Sequence, residues 1–166
     1  MILSPADVTR RTTVLALLLL ARPAAAAQAK PCPPPRVLFV CPAGSVKSAI
    51  ARETLKHAAS RRGLAVVAQS RGVTPEDHAS PVLAAHLRAD GIDPAAEALR
   101  RLETGDSAQA DIVIAFDEAA QAPGLERARA WDIPSWNSQY EGARAALAPK
   151  IEALLDEVAA RSCTGA

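Results

Sequence analysis

The chain is poor in aromatic residues and histidine, and its charges nearly cancel. Two Phe, two Trp and one Tyr in 166 residues are too few rings for a protein that binds bases by stacking. Nineteen Lys and Arg against eighteen Asp and Glu leave a formal net charge of +1. No basic block stands out, so there is no electrostatic footprint for nucleic acid. His57, His78 and His86 are the only histidines, and their scattered spacing reads as solvated or core side chains, so no metal site and no cofactor is expected. The three cysteines include no CxxC pair, which removes that redox motif and the zinc knuckle. A membrane span is not expected either. It needs about 20 apolar residues, and Arg22-Pro23 interrupts the one candidate run early.

That short run has a better reading. Arg10 and Arg11 precede TTVLALLLLA, and ARPAAAAQA follows with small residues. This is the three-part form of a secretory signal over residues 1–29, cut after Ala27 or Ala29. An uncleaved anchor is the bland alternative. After cleavage, no stable membrane insertion is expected. The expected location is outside the cytoplasm, in the periplasm. The Arg10-Arg11 pair permits a twin-arginine route, although the bulky residue expected two positions later is missing. In an oxidising compartment, a Cys32–Cys163 bridge would tie down both ends and leave Cys41 free; the alternative is two unpaired thiols.

Residues 30–35, KPCPPP, form a Pro-rich leader. One domain is expected over 36–161, and residues 162–166 are a tail. Arg36–Cys41 (RVLFVC) is a continuous apolar run, as expected of a strand covered on both faces. Val46, Ile50, Thr54, Leu55 and Ala58 recur at helical spacing, with Gly63 placed to stop the helix. Leu64–Ala68 is expected to be a second strand. Ser80-Pro81 opens a helix that Gly91 ends. Asp111–Phe116 and Ala128–Ile133 complete the strands, and Asp117 and Glu118 begin a helix. A closing helix carries Ala143, Leu147, Ile151, Leu154, Leu155 and Val158 on one stripe, with a kink or a new start at Pro149. The alternation predicts an α/β domain: a central four-stranded parallel sheet with helices on both faces. Ligands of such sheets bind at the strand-to-helix turns, and Cys41 lies at one.

The segment Cys41-Pro42-Ala43-Gly44-Ser45-Val46-Lys47-Ser48 is a small-residue loop between a strand and a helix. Inward amides and the positive helix end make such a loop an anion site. They would also stabilise a thiolate on Cys41, the form that acts as nucleophile. Ser48 can donate a hydrogen bond to that sulfur, and Lys47 adds charge at the rim. Taken alone, the octapeptide fits equally well a buried cysteine that ends a strand.

Landmarks further along extend the pattern. VLFV-CPAGSVKS-AIARE is followed by Ser70-Arg71-Gly72, by Gly91-Ile92-Asp93, by Ala110-Asp111-Ile112-Val113-Ile114, and by a turn containing Trp131. In order and spacing, residues 36 to about 160 resemble the low-molecular-weight protein tyrosine phosphatase family, which includes thioredoxin-linked arsenate reductases. The resemblance implies a phosphate-binding loop between the first strand and first helix, built from Pro42, Ala43, Gly44, Ser45, Val46 and Lys47. It implies Cys41 as nucleophile and Ser48 as its hydroxyl partner. Lys47 replaces the loop arginine, exchanging a planar two-pronged donor for a point charge. Gly44 replaces a shape-holding Asn, and Val46 a second cysteine. On the family's acid loop, Ser135 takes the place of the general acid and Trp136 that of the proline. Asp132 is the nearest carboxylate; the end of the fourth strand or a turn cap is its plainer role. Trp136 and Tyr140 are expected to wall the pocket, or to be simple packing residues.

Three functions follow. The first is hydrolysis of phosphate monoesters, phosphotyrosine among them, through a cysteinyl-phosphate. The second is a catalytically weak or inactive protein that binds phosphate, an arsenate-like oxyanion or a phosphorylated partner. The third, a thiol redox protein, has the least support, because no cysteine lies between Val46 and Ser162. The signal assignment is testable directly. Intact-mass measurement of the exported protein is expected to place its N-terminus at Gln28 or Lys30, and a mass retaining Met1 contradicts cleavage.

Overall fold

The structure is a computed structural model, and it describes residues 33–161. The signal and half of the leader, residues 1–29 and 30–32, lie outside the described residues, as do Cys32, Cys163 and the tail. The described chain runs β1 (Arg36–Cys41), α1 (Lys47–Arg61), β2 (Val67–Gly72), α2 (Pro81–Ala89), β3 (Ile112–Phe116), β4 (Arg129–Trp131) and α3 (Tyr140–Arg161). Short 3₁₀ helices occupy Pro94–Ala96 and Asp117–Gln121. The four strands form one parallel sheet in the order β2-β1-β3-β4.

Alternation within the central strands explains why they read as unbroken apolar runs. Val37, Phe39 and Cys41 of β1, with Ile112, Ile114 and Phe116 of β3, face one core; Leu38, Val40, Val113 and Ala115 face the other. The first core receives α1, α2 and α3, through residues such as Ile50, Leu55, Leu83, Leu87, Leu147 and Leu154. All three α-helices therefore pack on one side. The second core is covered by the 3₁₀ helix at Asp117–Gln121 and by the segments around Leu102 and Leu125.

Strand boundaries differ from expectation where burial is one-sided. The second strand is Val67–Gly72 rather than 64–68, because its pairing with β1 sets Arg36 against Val67 and Cys41 against Gly72. As an edge strand it tolerates Gln69, Ser70 and Arg71, which an apolar-run criterion discards. Leu64 and Val66 instead pack on the first core as a lead-in. β4 shrinks to three residues, with Ile133 buried beyond its end. Helix ends follow their local chemistry. Ser80 Oγ accepts from Leu83 N–H at 3.1 Å, and Gly63 and Gly91 leave α1 and α2 through positive φ, 66° and 71°. Pro149 sits inside a single α3, on its exposed side, and no second helix starts there.

Beyond the sheet hydrogen bonds of a three-residue strand, a carboxylate ties β4 to α3. Glu157 accepts both Arg129 guanidinium nitrogens, at 2.5 and 2.7 Å, and Arg161 at 2.9 Å. Hydrogen bonds from Arg129, then from Arg161, pull the Glu157 carboxyl down to about 2 from its ordinary 4.5. A depressed acid stabilises the fold above its unfolded value, and that contribution disappears as pH falls from about 4.5 through about 2. Because the group is partly solvated, Glu157→Gln is expected to cost about 1 kcal/mol at pH 7. Urea titrations should show the gap closing by pH 2–3; a gap independent of pH contradicts the assignment.

Candidate active site

β1 ends at Cys41 in the middle of the sheet, and the chain must turn at once to start α1 at Lys47. The loop's carbonyls are held on one side by the extension of β2. Val73 N–H donates to Cys41 O at 3.2 Å, Thr74 N–H to Pro42 O at 2.8 Å, and Glu76 N–H to Ala43 O at 3.1 Å. A peptide unit is planar and trans, so when the carbonyls of Pro42 and Ala43 point outward, the amides of Ala43 and Gly44 point inward. The inward direction is visible at Gly44, whose N–H donates to Cys41 Sγ at 3.1 Å. Pro42 has no amide hydrogen, which corrects its expected place among the anion-binding residues: the inward donors begin at Ala43.

Two glycines permit this arrangement. Gly44 has φ 79°, and a Cβ there would lie 2.7 Å from Gly72 N. A Cβ on Gly72 would lie 2.6 Å from Ala43 O. Loop and strand thus touch backbone to backbone.

α1 begins at this loop with no side-chain cap on its first amides and no acidic residue in its first turn. The first four N–H groups of a helix lack intrahelical partners, so the Lys47 end offers donors and the positive end of the helix dipole. Cys41 is 3% exposed. Its Sγ lies 3.1 Å from Ser48 Oγ, which is also 3.2 Å from Gly44 O and 3.4 Å from Arg71 O. A hydroxyl has one proton. With Cys41 as thiol, that proton can go to a carbonyl; with Cys41 as thiolate, it turns to the sulfur.

A cavity of about 340 Å³ opens over the sulfur, lined by Cys41, Val46, Lys47, Asp117, Ser135 and Trp136 among others. Lys47 Nζ donates to Asp117 Oδ1 and to Ile133 O, both at 2.6 Å. An ammonium has three N–H groups, so one remains for a bound anion. Asp117, with φ 54°, was legible only as a helix start; its position at the C-terminal end of a buried central strand was the available signal. Asn137 and His78 also line the cavity and were likewise missed. Asn137 Nδ2 donates to His78 O at 2.9 Å, and its Oδ1 accepts from Ser80 N–H at 3.1 Å, fastening the Trp136 segment to the start of α2.

Two expected site residues stand elsewhere. Asp132 directly follows β4, is exposed, and lines no part of the cavity. Its side chain makes no hydrogen bond or ion pair among the described residues, so it is not placed to exchange a proton over Cys41. Tyr140 contacts the buried Trp136 edge-on at 5.7 Å between ring centroids, but its ring stacks on His86 at 4.6 Å and its hydroxyl donates to Asp90 at 2.5 Å. It is held on α2 rather than at the pocket, because Asp90 captures its only proton. Burial, then the Asp90 carboxylate, push the Tyr140 phenol up to about 12.

Comparison with known proteins agrees with this geometry. The model of the low molecular weight phosphotyrosine protein phosphatase family matches residues 36–158. The fold is similar to that of a low molecular weight protein tyrosine phosphatase from T. tengcongensis (23% identity, TM-score 0.60, covering 74% of this chain and 99% of that one). It is also similar to an arsenate reductase in the phosphate-binding state (20% identity, TM-score 0.60, 75% and 98%). A third similar structure is the YwlE arginine phosphatase from Geobacillus stearothermophilus (24% identity, TM-score 0.54, 77% and 92%). No curated protein matched in a sequence search.

The contact between the two glycines sets a steric test. Gly72→Ala is expected to force the loop and strand apart, at a cost of about 1–3 kcal/mol for overpacking. Thermal melts should show a lower Tm and no further rise on adding inorganic phosphate. A variant still stabilised by phosphate as well as the wild type would show that the cradle does not depend on this contact.

Proposed function

The chain belongs to the low molecular weight phosphotyrosine protein phosphatase family, and from that premise we propose that it hydrolyses phosphate monoesters through a covalent intermediate on Cys41. The observation that carries this reading is the buried sulfur, with Gly44 N–H and Ser48 Oγ each 3.1 Å away at the floor of a loop whose carbonyls are turned outward. Those donors can hydrogen-bond a sulfur anion, and the same inward amides would hold the equatorial oxygens of a phosphoryl group in the transition state. The sulfur attacks phosphorus as the ester oxygen leaves. Water then attacks the cysteinyl-phosphate, releasing inorganic phosphate and restoring the thiolate. Lys47 contributes one N–H and a charge partly offset by Asp117. Trp136 gives the cavity an apolar wall suited to an aromatic ester such as phosphotyrosine.

A second reading has an observation of its own. Because Lys47 is already held by Asp117 and Ile133, and Ser135 stands where the family has a carboxylic acid, the cradle also suits a protein that binds phosphate or an arsenate-like oxyanion with little turnover. We also propose that the domain acts outside the cytoplasm, on the reading of residues 1–29 as an export signal.

The two readings separate in a p-nitrophenyl phosphate assay. Wild-type turnover is expected, abolished in Cys41→Ser and reduced about tenfold or more in Ser48→Ala, whose hydroxyl no longer supports the sulfur. Turnover that appears only after Lys47→Arg and Ser135→Asp are introduced supports the binding reading and overturns the enzymatic one.

A further inference from the structure

The Cys41 cavity holds no carboxylic acid placed to give up a proton. Ser135 has no useful acidity at neutral pH, Asp132 lies outside the cavity, and Asp117 is the carboxylate partner of Lys47 at 2.6 Å. Two of the three Lys47 protons are committed to Asp117 and Ile133. Apart from Cys41, Lys47 and Asp117, the titratable side chain on the cavity wall is His78.

His78 is held by both sides of the cavity. Its backbone N–H donates to Ser45 Oγ of the loop at 3.0 Å, and its carbonyl accepts from Asn137 of the Trp136 segment at 2.9 Å. Its imidazole Nε2 lies 3.0 Å from Glu76 Oε2, and Glu76 is itself anchored by its N–H to Ala43 O. A carboxylate on one ring nitrogen fixes the ring's orientation and leaves Nδ1 without a hydrogen-bond partner among the described residues. Besides Glu76, which meets the ring, the charged and titratable groups lining the two cavities that His78 borders are Cys41, Lys47, Asp117 and Glu118.

We propose that His78 is the proton donor and acceptor of the Cys41 reaction, with Glu76 as its positioning residue. The proposal rests on the phosphatase reading. In the first step the Cys41 sulfur–phosphorus bond forms, the phosphorus–oxygen bond to the leaving group breaks, and the imidazolium proton passes to the departing oxygen, which leaves as a neutral alcohol or phenol. In the second, neutral His78 takes a proton from water as its oxygen attacks phosphorus. The sulfur–phosphorus bond breaks, giving inorganic phosphate, a Cys41 thiolate and His78 protonated again.

Leaving-group dependence tests this. p-Nitrophenolate departs without a proton, whereas phenolate needs one. His78→Gln and His78→Asn, at an exposed side chain, are both expected to lose about 100-fold in kcat/KM for phenyl phosphate and less than about tenfold in kcat/KM for p-nitrophenyl phosphate. Both should lose the alkaline limb of the kcat/KM pH profile for phenyl phosphate, and Glu76→Gln should show the same dependence on the leaving group to a smaller degree. Equal losses on the two esters, or an unchanged alkaline limb, overturn the role of His78 while turnover that still requires Cys41 keeps the phosphatase reading intact. Turnover that survives in Cys41→Ser, or absence of turnover from either ester in the wild type, overturns both.

Discussion

The contact between the Pro42–Gly44 backbone and the Gly72–Glu76 backbone is the constraint on which the site depends. Without it the loop carbonyls have no donors outside, and nothing forces the Ala43 and Gly44 amides toward the sulfur. Two glycines make the contact possible, and the extension of β2 supplies the donors because β2 pairs in register with β1 up to Cys41 and Gly72. The sheet order therefore does more than bury apolar surface. It places an edge strand where its continuation can pin the loop that follows the central strand.

A second set of contacts joins the loop to the opposite wall. Lys47 reaches from the start of α1 to the turn after β3 and to the carbonyl of Ile133. Asn137 reaches from the same wall segment to the start of α2. An arginine in the place of Lys47 would carry five donors in a fixed fork. A lysine has three, and two are used here to hold protein. The same side chain thus holds the wall and keeps one N–H free of it, and with Asp117 beside it the cavity carries a modest positive charge.

Much of this was legible in the sequence. The central strands announced themselves because both of their faces are buried, so VLFV and IVIAF have no polar interruptions. The loop and its helix were legible because the chemistry is local: a cysteine, small residues, then a helical stripe. β2 was displaced in the reading because pairing, not apolarity, places Gln69, Ser70 and Arg71 in a strand. Asp117, His78 and Asn137 were missed for a different reason. Each comes to Cys41 across the fold, from segments dozens of residues away; Asp117 is marked only by following a buried central strand, and nothing nearby marks His78 or Asn137. Asp132 and Tyr140 show the converse, since their spacing from Trp131 and Trp136 suggested a pocket that their side chains do not face.

Covalent chemistry at Cys41 is read out by mass spectrometry of the protein acid-quenched during turnover of a phosphate monoester. A phosphoryl adduct is expected on the peptide containing Cys41, absent when Cys41 is replaced by serine under the same brief exposure. Continued ester hydrolysis with no adduct on that peptide, or an adduct on another residue, would contradict it.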